Sequence, residues 1–214
     1  MWKSIPDGGP ERLTALADGV FAIAITLLVL DLSVPRGLES AQFHEELLDL
    51  LPDLGAYALS VAVLGGYWRD HRKIFSTVRQ VDGQVVLLAL IGLGVAALVP
   101  FPTRLISDYG GEPVSVAVYA GAVASLGAAH LALVVVLRRR PWLRDDNESE
   151  AGSVLYALDH AVTVAVFVLT VPLAAVLGPA AMWWWLVLVP AKYAIGRRAA
   201  RAPRPPDVTP RRPR

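Results

Sequence analysis

The first long apolar run of the chain, DGVFAIAITLLVLDL, carries two side chains that could act on ions or protons: the carboxylate of Asp18 and the hydroxyl of Thr26. A carboxylate inside a membrane can bind a proton or a cation, and a hydroxyl oxygen can contact a partly dehydrated cation. Only twelve uncharged residues, Gly19–Leu30, separate the two acids of this run. Because crossing a bilayer takes about 20 residues, a spanning helix must include Leu13–Leu32 and must carry Asp18 within it.

A narrow apolar stripe follows from placing this run on a helix with about 100° per residue. The stripe consists of Gly19, Ile23, Leu27 and Leu30, with Thr26 at its edge. Asp18 lies about 140° from the stripe and Phe21 about 160° from it, so these two side chains face other surroundings. An aliphatic stripe with one threonine is, from the residues alone, typical of ordinary helix packing.

A second helix carries an unusual row of polar and aromatic side chains. The row is spaced 3, 4, 4, 3 and 4 residues apart, within roughly 40° of one line: Tyr57, Ser60, Leu64, Trp68, His71 and Phe75. Polar groups on a membrane helix turn inward to find partners. His71 is expected at about the depth of Asp18, so a contact between them, direct or through serine or water, is reasonable. This predicts that Asp18 is a structural carboxylate that joins the two helices, and a proton relay is the alternative.

The composition indicates a membrane protein. Of 214 residues, 55% are hydrophobic and 18% are charged, against about 25% charged in ordinary globular domains, and the charges are clustered. The absence of cysteine excludes disulfides and thiol chemistry. The chain has no phosphate-binding loop, zinc-protease or serine-hydrolase motif and no cluster of metal ligands, so we expect neither an enzyme, a cofactor nor a nucleic-acid partner.

The apolar runs predict an all-α integral membrane protein with six spanning helices. Their approximate bounds are 12–32, 51–76, 83–102, 113–137, 153–177 and 180–197, and the last two form a hairpin broken at Gly178–Pro179. The first 199 residues therefore form one transmembrane domain. The Pro- and Arg-rich segment 200–214 is expected to be a disordered cytoplasmic tail that contacts anionic lipid.

The distribution of lysine and arginine predicts the orientation. With six spans, 18 of the 20 basic residues fall on the side of the two termini, and only Arg36 and Arg104 fall on the other. Basic residues are enriched in cytoplasmic loops. We therefore expect a multi-pass protein of the cell membrane with both termini in the cytoplasm.

The motifs in the first half of the chain resemble those of bacterial members of the endosomal/lysosomal potassium channel family, the transmembrane protein 175 family. Its signature is an arginine, three residues and then Phe-Ser-Asp. Here Arg12 and Asp18 match, whereas Leu16 and Ala17 replace the Phe and Ser. The family's Y-x-x-S…G-x-x-W-x-x-H…F pattern is matched at Tyr57, Ser60, Gly65, Trp68, His71 and Phe75, and PFPTRL at 100–105 is also similar.

This resemblance implies a cation channel that favours potassium, with six helices in each chain, four chains in the assembly and the first helices lining the pore. It places the pore constriction at Ile23, with Leu27 and Leu30 beside it, and selectivity at Thr26. It also implies a structural network between helices formed by Arg12, Asp18, Ser60, Trp68 and His71. Potassium would be the permeant ion, with no cofactor.

Two other functions remain as alternatives. One is a secondary transporter or a proton pathway that uses Asp18, His71 and Asp159, although transporters often show internal repeats that are not convincing here. The other is a non-conducting membrane scaffold whose arginine-rich tail binds a partner.

Overall fold

The computed structural model of the protein describes residues 9–144 and 150–201, and the regular secondary structure within these ranges is helical. The α-helices are α1 (Glu11–Leu28), α2 (Ser40–Asp49), α3 (Leu51–Phe75), α4 (Gly83–Leu98), α5 (Pro100–Asp108), α6 (Pro113–Arg139), α7 (Glu150–Leu177) and α8 (Leu188–Arg201). Three 3-10 segments are Val29–Asp31, Pro141–Leu143 and Gly178–Val187. The predicted tail, 200–214, lies outside the described residues except for the last two residues of α8.

Five helical stretches of the described chain are long and apolar enough to cross a membrane. They are Glu11–Asp31, Ser40–Phe75, Gly83–Asp108, Pro113–Arg139 and Tyr156–Arg197. The first four contain the first four predicted spans, apart from a residue or so at the ends. The fifth is 42 residues long and holds most of the last two predicted spans in one apolar stretch. The structure thus agrees with an all-α membrane protein. It does not confirm six crossings, because the last two predicted spans fall within one continuous stretch.

The chain folds back on itself after α7. Gly178 follows the last residue of α7 and has a φ of 61°, a left-handed conformation that glycine adopts without a steric cost. Beyond it, Trp185 Nε1 donates to Thr170 Oγ1 at 3.1 Å, and Lys192 Nζ donates to Asp159 Oδ2 at 2.7 Å. The return segment therefore lies antiparallel to α7, as the Gly178–Pro179 break predicts.

Polar contacts join the helices at one end of the bundle. Arg104 Nη1 lies 3.7 Å from Asp31 Oδ1, which connects α5 to the 3-10 segment that follows α1. Ser107 Oγ donates to Asp53 Oδ1 at 2.6 Å, which connects α5 to the start of α3. This end contains Arg104, one of the two basic residues assigned to the outer side.

A buried carboxylate joins two connections at the opposite end. Asp82 is 1% exposed and caps the start of α4 by accepting from the backbone N–H groups of Gln84 and Val85. Arg140 Nη1 donates to the same carboxylate and Arg140 Nη2 donates to Gln84 Oε1 at 2.6 Å. The backbone N–H of Arg79 donates to the Leu143 carbonyl at 2.9 Å. The α3–α4 and α6–α7 connections therefore lie at the same face.

The core is built around α6, and α1 packs on α3, α4 and α5 with only one face. Ala17, Phe21, Ala24 and Leu28 on α1 are all 2% exposed or less and belong to the main core cluster of the described residues. The side chains lie 3 or 4 residues apart, which is the spacing of a single helix face. Most other side chains of α1 are exposed, although Leu13 is buried and Val20 and Ile25 are partly buried.

Candidate functional site

The apolar stripe of α1 lies on the uncovered face of the helix. Ile23 is 61% exposed, Leu27 is 42% exposed and Leu30 is 71% exposed. Phe21, predicted on the opposite side, is 1% exposed and packs in the core. Ordinary packing within the chain therefore does not account for the stripe, which must face lipid or another copy.

Thr26 is exposed beside the stripe, and its hydroxyl is already oriented. Its Oγ1 donates to the Ile23 carbonyl at 2.9 Å, three residues back on the same helix. The hydroxyl hydrogen is thus occupied, and the oxygen lone pairs are turned away from the helix. The side chain can act as an acceptor toward a cation.

Asp18 is held by Trp68 rather than by His71. Trp68 Nε1 donates to Asp18 Oδ1 at 2.7 Å, which joins α1 to α3. The Arg72 guanidinium lies 5.3 Å from the centre of the Trp68 ring, a distance suited to a cation–π contact. Arg12 is exposed at the start of α1 and forms no ion pair with Asp18 in the part of the chain that the structure describes. The interhelical link is thus an indole–carboxylate bond.

His71 is buried among rings beside this link. It is 1% exposed, and its ring centre lies 6.2 Å from that of Phe21, 4.6 Å from that of Phe75 and 5.6 Å from that of His130. Its Nε2 has no hydrogen-bond partner among the described residues. The structure shows no direct hydrogen bond between His71 and Asp18, and the His71 ring contacts α1 through Phe21.

Ser60 belongs to a separate buried cluster. Its Oγ lies 2.8 Å from Thr103 Oγ1 and 3.1 Å from the Tyr119 hydroxyl, and all three side chains are buried. Thr103 also donates to the Val99 carbonyl at 2.9 Å. This cluster joins α3, α5 and α6. The five residues of the expected network thus divide into the Asp18–Trp68 link, the buried His71, the Ser60 cluster and an exposed Arg12.

Sequence reasoning missed the partners of Ser60 and a layer of buried histidines. His71, His130 and His160 lie on α3, α6 and α7, with ring centres 5.6 Å and 6.2 Å apart along the row. The sequence feature that could have indicated this layer is the presence of one histidine in each of three helices with long apolar runs. Among residues 9–144 and 150–201, no group of three His, Cys, Asp or Glu side chains is arranged to hold a metal ion.

Comparisons with known proteins point to one family. The family model of the endosomal/lysosomal potassium channel TMEM175 matches residues 12–100, which include α3 and all of α1 except its first residue. A potassium channel of Streptomyces collinus is 36% identical over 172 residues, covering 78% of this chain and 84% of the relative. A potassium channel of Chamaesiphon minutus is 38% identical over 133 residues, covering 60% of this chain and 62% of the relative.

A solved structure has the same fold. The crystal structure of a lysosomal potassium-selective channel TMEM175 homologue from Chamaesiphon minutus superposes with a TM-score of 0.70 at 26% sequence identity. The match covers 88% of this chain and 97% of that chain. The similarity therefore extends beyond the matched motifs to nearly the whole helical bundle.

Proposed function

We propose that this chain, which belongs to the endosomal/lysosomal potassium channel TMEM175 family, forms a passive, potassium-favouring channel from four copies, with α1 of each copy lining the pore. The observation that carries the proposal is the apolar stripe on α1, which includes Ile23 at 61% exposure and is not covered by its own chain. The printed names of its Streptomyces and Chamaesiphon relatives, both potassium channels, support the choice of permeant ion.

The uncovered face of α1 spans about half the helix circumference and has two parts. Bulky side chains form one part, within about 40° of Ile23: Leu16, Ile23, Leu27 and Leu30. Small side chains form the other part, about 40–100° to one side: Ala15, Gly19, Ala22 and Thr26. Small residues allow helix backbones to approach closely in a membrane. We assign the small flank to contact with a neighbouring α1 and the bulky stripe to the pore.

Ile23 forms the constriction in this arrangement. Four β-branched side chains that meet on one axis leave little room for water, so the ring can block ions by dewetting without a charged gate. Leu27 continues the apolar lining one turn further along α1, and Leu30 continues it in the 3-10 segment that follows. The ion must shed water at this point without a polar replacement.

Thr26 supplies the polar contact nearest the constriction. Its hydroxyl hydrogen is bonded to the Ile23 carbonyl, so the oxygen is left as an acceptor. A ring of four such oxygens would contact a partly dehydrated potassium ion more favourably than an aliphatic ring would. Thr26 therefore contributes to selectivity.

The link between Asp18 and Trp68 holds the pore helix against α3. A carboxylate that accepts an indole N–H at 2.7 Å is a positioning group rather than an ion ligand. His71 and Phe21 pack directly behind this link, on the buried side of α1. Ser60 positions α3 against α5 and α6 through its own cluster.

The chain is a multi-pass membrane protein of a channel family. We propose in addition how many times it crosses the membrane and on which side its termini lie. The 18-to-2 distribution of basic residues supports six crossings with both termini in the cytoplasm, α7 and α8 forming the last hairpin. The protein is proposed to work as a channel, not as an enzyme, and without a cofactor.

The transporter and scaffold alternatives have less support. The carboxylate of Asp18 is bonded to Trp68 and that of Asp159 to Lys192, so neither is free to load a substrate ion in this state. The scaffold alternative depends on the tail, of which residues 202–214 lie outside the described residues.

Ion flux from liposomes tests the proposed function. Liposomes that contain the purified chain and a potassium salt are diluted into a buffer with an impermeant cation, and potassium efflux is followed with an electrode. We expect downhill efflux that stops at the potassium equilibrium potential and needs no counter-transported proton or sodium. Flux that depends on such a counter-ion would indicate the transporter, and absence of flux from folded protein would indicate the scaffold.

A further inference from the structure

Leu16 is a bulky apolar residue of α1 that its own chain leaves partly uncovered. It is 46% exposed, whereas the adjacent Ala17 is fully buried and Leu13, one turn earlier, is 8% exposed. At about 100° and 1.5 Å per residue, Leu16 lies about 20° from Ile23 around the helix and about 10 Å nearer its start. Two large apolar side chains, two turns apart, therefore face the same side of α1.

Contacts on the opposite side of α1 fix its rotation at the level of Leu16. Trp68 Nε1 donates to Asp18 Oδ1 at 2.7 Å, and Asp18 lies about 160° around the helix from Leu16. Ala17 and Phe21 pack in the core on the covered face. Leu16 cannot turn into its own bundle without breaking the Asp18–Trp68 bond and exposing these two side chains.

The residues of the uncovered face follow the spacing of helices that surround a common axis. Leu16, Gly19, Ile23 and Thr26 all lie within α1 and are separated by 3, 4 and 3 residues. Parallel helices with this repeat cross at about 20°, and the left-handed supercoil keeps both sets of positions toward the shared axis. The axis that Ile23 reaches is therefore reached again at Leu16, and large residues alternate with small ones along it.

Gly19 separates the two large residues. A Cβ added at Gly19 would meet no heavy atom of the described chain within 4 Å, apart from the backbone of its own helix. Glycine inside a helix is less stable than alanine by about 0.5–1 kcal/mol, and packing within the chain does not require it here. Where neighbouring copies meet at Gly19, no side chain extends toward the axis, so the lumen is wider at this level.

We propose that Leu16 forms a second apolar ring in the pore, two turns from the Ile23 ring, with a wider segment at Gly19 between them. This inference rests on the proposed function, in which α1 of four copies surrounds the pore. The Leu16 ring is the lower of the two barriers, because leucine is not β-branched and moves aside more easily than isoleucine. A permeating ion therefore loses water at two levels and regains it between them.

Cross-linking of single cysteines tests the position of Leu16 without any need for conduction. The chain contains no cysteine, so Leu16→Cys, Ile23→Cys and Leu169→Cys can each be introduced without a background signal. The full-length variants in liposomes are treated with a short bifunctional thiol reagent, because facing residues of a ring can be further apart than the roughly 7 Å limit of a disulfide. Covalent dimers are then measured on a denaturing gel.

We expect dimers for Leu16→Cys and Ile23→Cys but not for Leu169→Cys, since Leu169 is 50% exposed but lies on α7. Dimers for Ile23→Cys without dimers for Leu16→Cys would overturn the second ring and leave the proposed pore intact. Absence of dimers for both α1 variants would instead contradict the proposed arrangement of α1 around an axis.

Currents of a double variant test whether the Leu16 ring is a barrier. When two barriers lie in series, the higher one limits the current, so Leu16→Asn alone should change the wild-type current by less than about twofold. Once Ile23→Asn has lowered the main barrier, adding Leu16→Asn should raise the current at least about threefold further, whereas adding Leu169→Asn should not. A double variant that conducts like Ile23→Asn would overturn the second ring, even if Leu16→Cys forms dimers. Dimers without flux in any variant would contradict the proposed channel.

Discussion

Replacing Ile23 by asparagine tests the proposed constriction most directly. Ile23 is 61% exposed within its own chain, so the substitution removes no core packing and the fold of the chain should persist. An ion that passes the apolar ring sheds water and gains no polar contact. A hydrogen bond to a charged group contributes about 1.5–3 kcal/mol. If one such contact forms at the top of the barrier, the barrier falls enough to raise the current about tenfold.

Single-channel recording in planar bilayers measures this effect. Ile23→Asn should raise conductance or open probability and bring the potassium-to-sodium permeability ratio closer to one. Ile23→Ala should act in the same direction by widening the ring. Leu98→Asn is the matched control, because Leu98 is 64% exposed but lies on α4. If Ile23→Asn behaves as wild type while Leu98→Asn changes permeation, another face of the subunit lines the pore and the assignment is refuted.

The remaining predictions concern three polar side chains. Thr26→Val, which removes the acceptor oxygen, should shift the reversal potential under bi-ionic conditions toward lower potassium preference, whereas Thr26→Ser should retain it; an unchanged potential in Thr26→Val would exclude the role. Asp18→Asn should lower thermal stability and tetramer yield, because it weakens the charge-assisted hydrogen bond from Trp68, and it should leave ion preference unchanged. A well-folded Asp18→Asn variant without potassium preference would count against this role. Ser60→Ala leaves buried hydroxyls of Thr103 and Tyr119 without one partner and should cost about 1–3 kcal/mol, measured as a lower melting temperature, with unaltered selectivity.

Helix bounds could be predicted well where an apolar run and a proline act together. The second spanning helix was predicted at 51–76 and is observed as Leu51–Phe75, with Pro52 in its first turn, where a missing N–H has no cost. The third spanning helix was predicted to end at residue 102, which is wrong. In the structure α4 ends at Leu98, and α5 begins at Pro100 and continues to Asp108. Proline there starts a new helix instead of ending the segment.

The direction of a side chain was predictable, but its partner was not. Trp68 and His71 lie on the same line of α3 and are separated by about one turn, or roughly 5 Å along the axis. Sequence spacing does not fix the depth of α1 relative to α3 to that precision, so His71 was chosen where Trp68 is the donor to Asp18. The partners of Ser60 lie 43 and 59 residues away, and helical periodicity does not tell which helices are neighbours.

For the stripe on α1, the residues were predictable from the sequence but their role was not. Its residues and spacing were evident from the sequence, and the structure shows that the chain itself leaves them uncovered, with Leu30 at 71% exposure. The choice between helix packing and a pore could not be made from periodicity, because both use one apolar face. The resemblance of the Arg12–Asp18 and Tyr57–Phe75 motifs supplied that choice.

The ion pair between the buried Asp82 and the partly exposed Arg140 has a consequence for synthesis in the membrane. Its partners are 58 residues apart, and α4, α5 and α6 lie between them. The ribosome therefore delivers Asp82 well before Arg140, and the carboxylate must remain in contact with water until α6 has crossed and returned the chain to the same face. A nascent chain that stops short of Arg140 would have to bury an uncompensated charge, which costs several kcal/mol. The pair thus joins the α3–α4 and α6–α7 connections only after α4, α5 and α6 have been inserted.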